Sequence, residues 1–230
     1  MERFYETVTV VKVENGFAIE LDGKPVKTRR GARVYSEKEA LVYRVAEEWR
    51  AQEKAIIPAS MPMFQLLTAV IDLGPSQSDE WVDRIISYAD SELICYREET
   101  LESLYERQCR VWDPYLQWLL EHYNIKLQTG RGIAFIHQSP ETTQMLRCLF
   151  KEASPSERFA LKALAEITSS AVLPYALWRG PFREDEVFEA SRLDEVFQIE
   201  RWGEDDEAMQ RTRQIRKDYD TVNAFLKLSH

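Results

Sequence analysis

Cysteine and histidine are scarce in this chain of 230 residues, which contains three of each. Cys95, Cys109 and Cys148 are odd in number and no two are close in sequence, so a disulfide framework is not expected and a reducing compartment fits better. No histidine has a second histidine or a cysteine at the spacing of metal ligands, which argues against a structural zinc site. We therefore expect neither a metal nor any other cofactor.

Several patterns typical of enzymes and membrane proteins are also missing. No glycine-rich phosphate loop follows a predicted strand, and there is no G-x-S-x-G nucleophile motif. No apolar run approaches the roughly 18 residues that suggest a membrane span. Without such a run, no membrane contact is expected. The net charge of −9 would repel phosphate backbones, so nucleic acid is not expected as a partner either. The N-terminus lacks the features of a secretory signal, which predicts a cytoplasmic protein, or a mitochondrial matrix protein if it is a processed eukaryotic one.

The chain does contain ample material for a core, since 44% of its residues are hydrophobic and six are tryptophan. Residues 1–35 are rich in β-branched and aromatic residues and contain the hairpin signal Glu14-Asn15-Gly16, which predicts an antiparallel meander. The patterns that follow are mostly helical. The predicted fold class is therefore α+β, with an N-terminal antiparallel β-rich domain followed by a mostly α-helical C-terminal domain.

Helix signals predict the boundary between these two parts. Ser36 and Glu39 have the spacing of a capping box, so a first helix should begin at Ser36. A second helix should follow Ser60 and a third should cover residues 79–88, with the glycine and proline of residues 74–76 between them. We predict a β-rich domain with two helices over residues 1–75 and a helical domain over residues 76–230. Further along, Pro114 should interrupt a long helix.

The most informative segment is a predicted helix over residues 184–202, which carries large apolar residues on two nearly opposite sectors. Asp194 falls on the rim of one sector, Gln198 stands one turn later and Arg201 a further turn on. Either the domain buries this helix centrally and the polar residues form an internal network, or one face is a recognition surface for a partner. Periodicity favours neither alternative.

A second segment of interest is the poorly helical stretch of residues 90–97, where Tyr96 and Arg97 lie close in sequence to Asp90 and Glu92. It is either a connector whose arginine pairs with a local carboxylate, or part of a binding site. Adjacent carboxylates such as Asp194 and Glu195 are usually solvated and do not by themselves predict catalysis.

Several motifs together resemble those of one family, the ATP synthase assembly factors that chaperone the α subunit of the catalytic head. The residues that carry the resemblance are Ser191 to Glu195, Gln198 to Asp205, Tyr88 to Arg97, Trp112-Asp113-Pro114, Glu48-Trp49 and Met61-Pro62. They occur in the family's order, and the resemblance extends from the first strand to the last helix.

This resemblance implies a protein without catalytic activity that binds the free α subunit and keeps it from aggregating until it joins β. It also implies an important acidic residue in the Ser-Arg-Leu-acidic stretch, which is Asp194 here, and a bacterial, cytoplasmic member. We expect a monomer whose partner-binding residues are Asp194, Glu195, Gln198, Arg201, Trp202, Glu204, Asp205, Asp90, Tyr96 and Arg97.

Two other classes of function stay open at this point. The chain could be an enzyme that uses Asp90, Arg97 and Asp194 in one cleft, which would require these groups to share a pocket. It could also be a scaffold that binds a different protein through the predicted helix of residues 184–202.

Overall fold

The computed structural model describes residues 1–203 and 206–230, and its N-terminal part is a small antiparallel sheet. Strands β1 (Val8–Val13) and β2 (Gly16–Leu21) form a hairpin, and two short strands, β3 (Lys24–Pro25) and β4 (Tyr35–Ser36), both pair with β2. The predicted turn is confirmed, because Gly16 has a φ of 134° and a Cβ there would collide with the carbonyl oxygen of Ser36.

The first helix begins later than its sequence signal predicts. Helix α1 (Glu39–Arg50) has Lys38 at its N-cap position, without a side-chain cap. Ser36 lies in β4, where it pairs with Phe17 of β2. The predicted capping box of Ser36 and Glu39 is therefore wrong, because sheet pairing holds Ser36 in an extended conformation.

Helix α2 (Pro62–Ala89) is one continuous helix that contains Pro75, so the prediction of two separate helices on either side of residues 74–76 is wrong. Its first turn is capped from α1: the Glu48 carboxylate accepts hydrogen bonds from the backbone N–H groups of Met63 (2.9 Å) and Phe64 (2.8 Å). Gly74 is buried and packs near Trp81. Because α2 runs through residue 75, no linker marks the predicted domain boundary there, and that boundary stays a prediction.

A short connector joins α2 to the next long helix, α3 (Glu102–Tyr123). A 3₁₀ turn (Leu93–Cys95) precedes strand β5 (Tyr96–Arg97), and helix α3 comes next. Strand β6 (Gly130–Arg131) then pairs in parallel with β5. Pro114 lies inside α3, so the predicted interruption is wrong; buried Trp112 and Tyr115 on either side of it hold the helix in the core.

The rest of the described chain is helical, as predicted. The helices are α4 (Pro140–Lys151), α5 (Pro155–Thr168), α6 (Val172–Arg179), α7 (Glu184–Ser191), α8 (Leu193–Trp202) and α9 (Asp206–Ser229). Ser139 and Ser154 cap α4 and α5, each with proline at the first helical position. The single helix predicted over residues 184–202 is wrong: the backbone leaves helical geometry at Arg192, which separates α7 from α8.

One contiguous apolar core joins these elements, with α2 packed against α4, α5 and α9, and α1 packed against the sheet. The predicted α+β class is confirmed: an antiparallel strand region precedes a mostly helical part. Within residues 1–203 and 206–230, no helix is both long and apolar enough to cross a bilayer.

Candidate functional site

A hydrogen-bonded network lies where α3 meets α8, and we call it the Asp194 network: Glu98, Gln108 and Asp194. Gln108 is buried on α3, and its Nε2 donates a hydrogen bond of 2.9 Å to Oδ1 of Asp194 on α8. Its Oε1 accepts a hydrogen bond of 2.7 Å from the backbone N–H of Glu98, just after β5. One amide side chain therefore fixes both the connector and the first turn of α8 to α3.

A buried arginine, Arg97, lies next to this network and contacts the backbone of Gln108. The Arg97 guanidinium lies over the Trp112 ring at 5.0 Å, donates from Nη1 to the Gln108 carbonyl oxygen at 3.3 Å, and donates from Nη2 to Oδ1 of Asp113 at 2.7 Å. Trp112 itself donates a 2.8 Å hydrogen bond to the carbonyl oxygen of Ala190 at the end of α7. The motif Trp112-Asp113-Pro114 therefore binds the connector, α3 and α7 together.

The charged groups here have shifted pKa values because of burial. Burial raises the pKa of Asp194 above its ordinary value; the hydrogen bond from Gln108 opposes the shift, as does the Arg97 charge, while the Glu98 carboxylate adds to it. Burial lowers the pKa of Arg97, and the Asp113 carboxylate opposes that shift. Asp194 is half-buried, and its carboxylate is stabilised by one hydrogen bond from the Gln108 amide and by the positive charge of Arg97.

The outer side of α8 has a different character, and we call it the α8 surface: Glu195, Val196, Gln198, Arg201 and Trp202. All five side chains are exposed, Trp202 by 72%. Only Leu193 of α8 is buried, whereas Val187, Phe188 and Ala190 of the preceding helix all are. Of the two alternatives drawn from periodicity, central burial therefore applies to α7, and α8 leaves large apolar side chains uncovered.

A groove lies along each side of α8. One, of about 600 Å³, runs between α3 and α7–α8 and is lined by Val111, Tyr115, Leu193 and Val196 among others. The second, of about 480 Å³, runs between α8 and α9 and includes Glu195, Gln198, Ile199 and Trp202. Apolar grooves beside exposed charges are the usual composition of a protein-binding patch.

Ion pairs fix α8 in this position. Arg107 of α3 forms a bidentate pair with Glu200, with N–O distances of 2.5 and 3.1 Å. Arg192, in the break between α7 and α8, pairs with Glu195 at 3.1 Å. Arg107 and Glu200 are both partly exposed, so this pair orients α8 more than it stabilises the fold.

The remaining predicted site residues lie apart from the α8 surface. Asp90 is exposed at the end of α2, and its side chain makes no hydrogen bond or ion pair within the described part of the chain. Tyr96 accepts a hydrogen bond from the Ile136 N–H at 3.2 Å. Glu92 does not pair with Arg97 but accepts hydrogen bonds from the Ala171 and Val172 N–H groups at the start of α6. Glu204 and Asp205 lie outside the described residues.

Sequence reasoning missed Gln108, which holds the network together. Its signal was present: Leu104, Gln108, Trp112, Tyr115 and Leu119 follow one another at helical spacing, and all five are buried in α3. A single amide within such an apolar stripe requires a buried hydrogen-bond partner. The sequence could have indicated that need, but not that Asp194 supplies it.

The groups required for the enzyme hypothesis do not meet at the cavity beside Asp194. A cavity of about 100 Å³ beside Asp194 is lined mainly by residues of α7–α8 and the end of α5, and neither Asp90 nor Arg97 lines it. Within residues 1–203 and 206–230, no three side chains of histidine, cysteine, aspartate or glutamate are placed to hold a metal ion.

Comparison with known proteins points to one family. A family model described as ATP12 chaperone protein matches residues 2–120. Atp12 from Paracoccus denitrificans is 30% identical, with a TM-score of 0.95, and the alignment covers 100% of this chain and 98% of that one. An aspartate-to-lysine variant of the same protein aligns equally well, at 29% identity. The Atu1473 protein from Agrobacterium tumefaciens is 32% identical, with a TM-score of 0.93, over 100% of this chain and 86% of that one.

Proposed function

The chain belongs to the ATP12 chaperone protein family and is on that ground an ATP synthase assembly chaperone, and we propose that its client is the free α subunit of the catalytic head. It would hold this subunit in solution until it joins β. A free subunit of a hetero-oligomeric ring exposes an interface that is partly apolar and liable to aggregate, so it needs temporary cover.

The observation that carries the proposal is the α8 surface. Val196 and Trp202 are exposed there by 38% and 72%, although α8 follows a helix whose apolar residues are buried. Tryptophan is among the residues that contribute most to protein interfaces. Exposed apolar side chains in two neighbouring grooves, Val196 in one and Trp202 in the other, with charges around them, suit a contact that must form and later release.

The roles proposed for individual residues follow from their positions. Glu195, Gln198, Arg201 and Trp202 are exposed and would touch the client directly. Asp194 bonds to Gln108 of α3, so we propose that it acts mainly by holding α8 at its angle, with its exposed part available to the client. Glu204 and Asp205 lie outside the described residues and stay proposed contacts.

The residues of the connector would contribute differently. Arg97 is buried against Trp112 and Tyr96 is half-buried in the contact with residue 136, so both would position the site without meeting the client. Asp90 is exposed, and it stays a proposed contact with no observation that joins it to the α8 surface.

The proposal includes no catalysis. A chaperone of this kind needs binding and release only, and the cavity that Asp194 lines is lined by neither Asp90 nor Arg97. The bacterial relatives support the predicted cytoplasmic location, and a monomer remains the expected state.

Co-expression with the α subunit from the same organism tests the proposal. We expect the chain to raise the soluble fraction of α and to be recovered with it in a pull-down, while β expressed in the same way gains nothing. No association and no gain in soluble α would exclude the proposal. Equal gains for several ring subunits would favour the scaffold hypothesis.

A further inference from the structure

A third and larger groove lies in the N-terminal part of the chain and has no role in the function proposed above. It has a volume of about 1020 Å³ and lies between the sheet and the first turns of α2. Its apolar lining includes Tyr5, Trp49, Met61 and Phe64. None of the residues that line it lines either groove beside α8.

The rim of this groove is basic, although the chain as a whole is acidic. Four exposed cations, Lys24, Lys27, Arg29 and Arg30, line it, against two carboxylates, whereas the net charge of the chain is −9. The groove therefore has a local charge opposite to that of the whole protein, which would attract a negatively charged partner segment.

Two of the four rim cations, Lys27 and Arg29, are not used by the fold, whereas Arg30 donates a 2.9 Å hydrogen bond from Nη1 to the Asp72 carbonyl oxygen. Asp22 accepts hydrogen bonds from Thr7, and Asp72 accepts one of 2.6 Å from the Thr28 hydroxyl, so both rim carboxylates already have neutral partners. Within the described residues, the side chains of Lys27 and Arg29 make no ion pair and no hydrogen bond. Their charges are therefore free to meet an anionic group.

The lining argues for a polypeptide over a small molecule. A small-ligand pocket usually has a few polar groups that converge on the ligand, but Thr28, Asp22 and Asp72 are occupied with protein partners here. What remains is an apolar floor with an aromatic side wall, since Phe4 lines the groove and is 63% exposed. Such a surface fits the apolar face of a bound segment.

The same features argue against a membrane surface as the partner. The floor residues Tyr5, Trp49 and Met61 are exposed by 6% or less, so they lie at the bottom of a concave site that a bilayer surface would not reach. We propose that this groove binds a polypeptide segment that carries large apolar side chains next to carboxylates. The site is separate from the α8 surface.

Fluorescence anisotropy with short dye-labelled peptides tests this proposal on the full chain. The probe is a peptide of glutamate, phenylalanine and leucine; one control replaces its glutamates by lysine and a second replaces its apolar residues by serine. We expect the first peptide to bind, with an affinity that falls as salt is added, and both controls to fail. Binding of the lysine peptide with equal affinity, or no binding of the acidic one, would overturn the proposal.

Variants of the chain locate the binding. Lys27→Glu with Arg29→Glu should weaken the acidic peptide about tenfold, because two attractive contacts become repulsive. Lys12→Glu with Lys126→Glu makes the same change of charge at exposed positions outside the groove and should have no effect. Phe4→Ser should also weaken binding, and thermal melts should match wild type because all these side chains are exposed. An unchanged affinity in the rim variant would refute the assignment.

Sedimentation with anionic vesicles distinguishes the other class of partner. We expect the chain to stay in the supernatant. Vesicle binding that the rim variant abolishes, together with no binding of the acidic peptide, would replace this proposal with a membrane site. The probes are peptides and not the α subunit, so the two proposals fail independently. A negative peptide result would leave the proposal for the α8 surface standing, and a negative result with α would leave the groove proposal standing.

Discussion

Gln108 donates a 2.9 Å hydrogen bond to Asp194, and this contact between residues 86 positions apart joins α3 to the first turn of α8. Gln108 is 3% exposed, so its buried amide needs protein partners for its hydrogen bonds. The acidic residue of the Ser-Arg-Leu-acidic stretch is thus bound to the scaffold, while its neighbours on α8 face solvent. This contact and the Arg107–Glu200 ion pair together set the orientation of the α8 surface.

The first prediction concerns the two parts of the Asp194 side chain, its oxygen and its charge. Asp194→Asn keeps an acceptor for Gln108 and removes a charge whose burial is unfavourable, so the free energy of unfolding should stay within about 1 kcal/mol of wild type. Asp194→Lys places an ammonium group near the Gln108 amide and Arg97. We expect it to fold but to lose the gain in soluble α subunit.

Glu14→Lys is the control for this pair, since it reverses a charge in the exposed turn between β1 and β2. Its effect on soluble α should be nil. Circular dichroism and urea titrations would separate folding from function. If Asp194→Lys simply unfolds, Asp194 has a structural role and its assignment to client binding is wrong.

The second prediction concerns the exposed apolar residues of α8. Trp202→Ala should change the free energy of unfolding by no more than about 0.5 kcal/mol, because the side chain is 72% exposed, yet it should reduce recovery of α in the pull-down several-fold. Tyr43→Ala, at a 46% exposed aromatic on α1, is the matched control and should bind normally. Equal recovery with both variants would count against the α8 surface.

The sequence was sufficient for the fold class and for most helices, because periodicity and Ser-Pro starts are local signals. It was insufficient where tertiary contacts override a local rule. Pro75 and Pro114 should have ended helices, but each removes only one backbone donor, and buried side chains on both sides keep α2 and α3 continuous. Ser36 should have capped α1, but its pairing with Phe17 places it in the sheet.

For the candidate site, the sequence drew attention to Arg97 but not to its partner. A pairing with Asp90 or Glu92 was the simplest local expectation. The observed partner is Asp113, because β5 passes alongside α3, and such a contact is set by the packing of two elements. The break between α7 and α8 at Arg192 could not be predicted either, since residues 184–202 have helical periodicity throughout.

The third prediction concerns the ion pair of Arg97 and Asp113, whose side chains are 4% and 58% exposed. Asp113→Ala leaves a buried guanidinium without its carboxylate, so it should lower the free energy of unfolding by about 2 kcal/mol. Asp83→Ala is the control. It removes a carboxylate of similar exposure, 63%, from Arg147, whose side chain is 28% exposed and so less buried than that of Arg97. The Asp83→Ala control should lower the free energy of unfolding by only about 0.5 kcal/mol. Equal losses in urea titrations would contradict the structural role of the buried arginine.

The fourth prediction concerns Glu92, which is buried and accepts hydrogen bonds from two N–H groups at the start of α6. Burial raises its pKa from 4.5 to about 7, despite those hydrogen bonds. Between pH 4.5 and about 7, Glu92 keeps its proton in the folded chain but has lost it in the unfolded chain. The stability that protonated Glu92 gives the fold is therefore fully present below pH 4.5 and is lost as the pH rises through about 7. The loss should amount to at most about 3 kcal/mol.

Glu92→Gln keeps an acceptor oxygen and cannot ionise, so it isolates this effect. Urea titrations of both proteins from acid to slightly alkaline pH should show wild type losing stability relative to the variant as the pH rises. If the two stability curves run parallel, Glu92 titrates near its ordinary value and the proposed effect of burial is absent.

The most direct test of the central claim is site-specific photo-crosslinking from the α8 surface. A photoreactive amino acid is introduced at Trp202 in one sample and at Tyr43 in another, and each protein is mixed with freshly refolded α subunit and irradiated. We predict an adduct with α from position 202 alone, and its loss when β is added before irradiation. An adduct from position 43 with none from position 202, or an adduct at 202 that β does not reduce, would contradict the account.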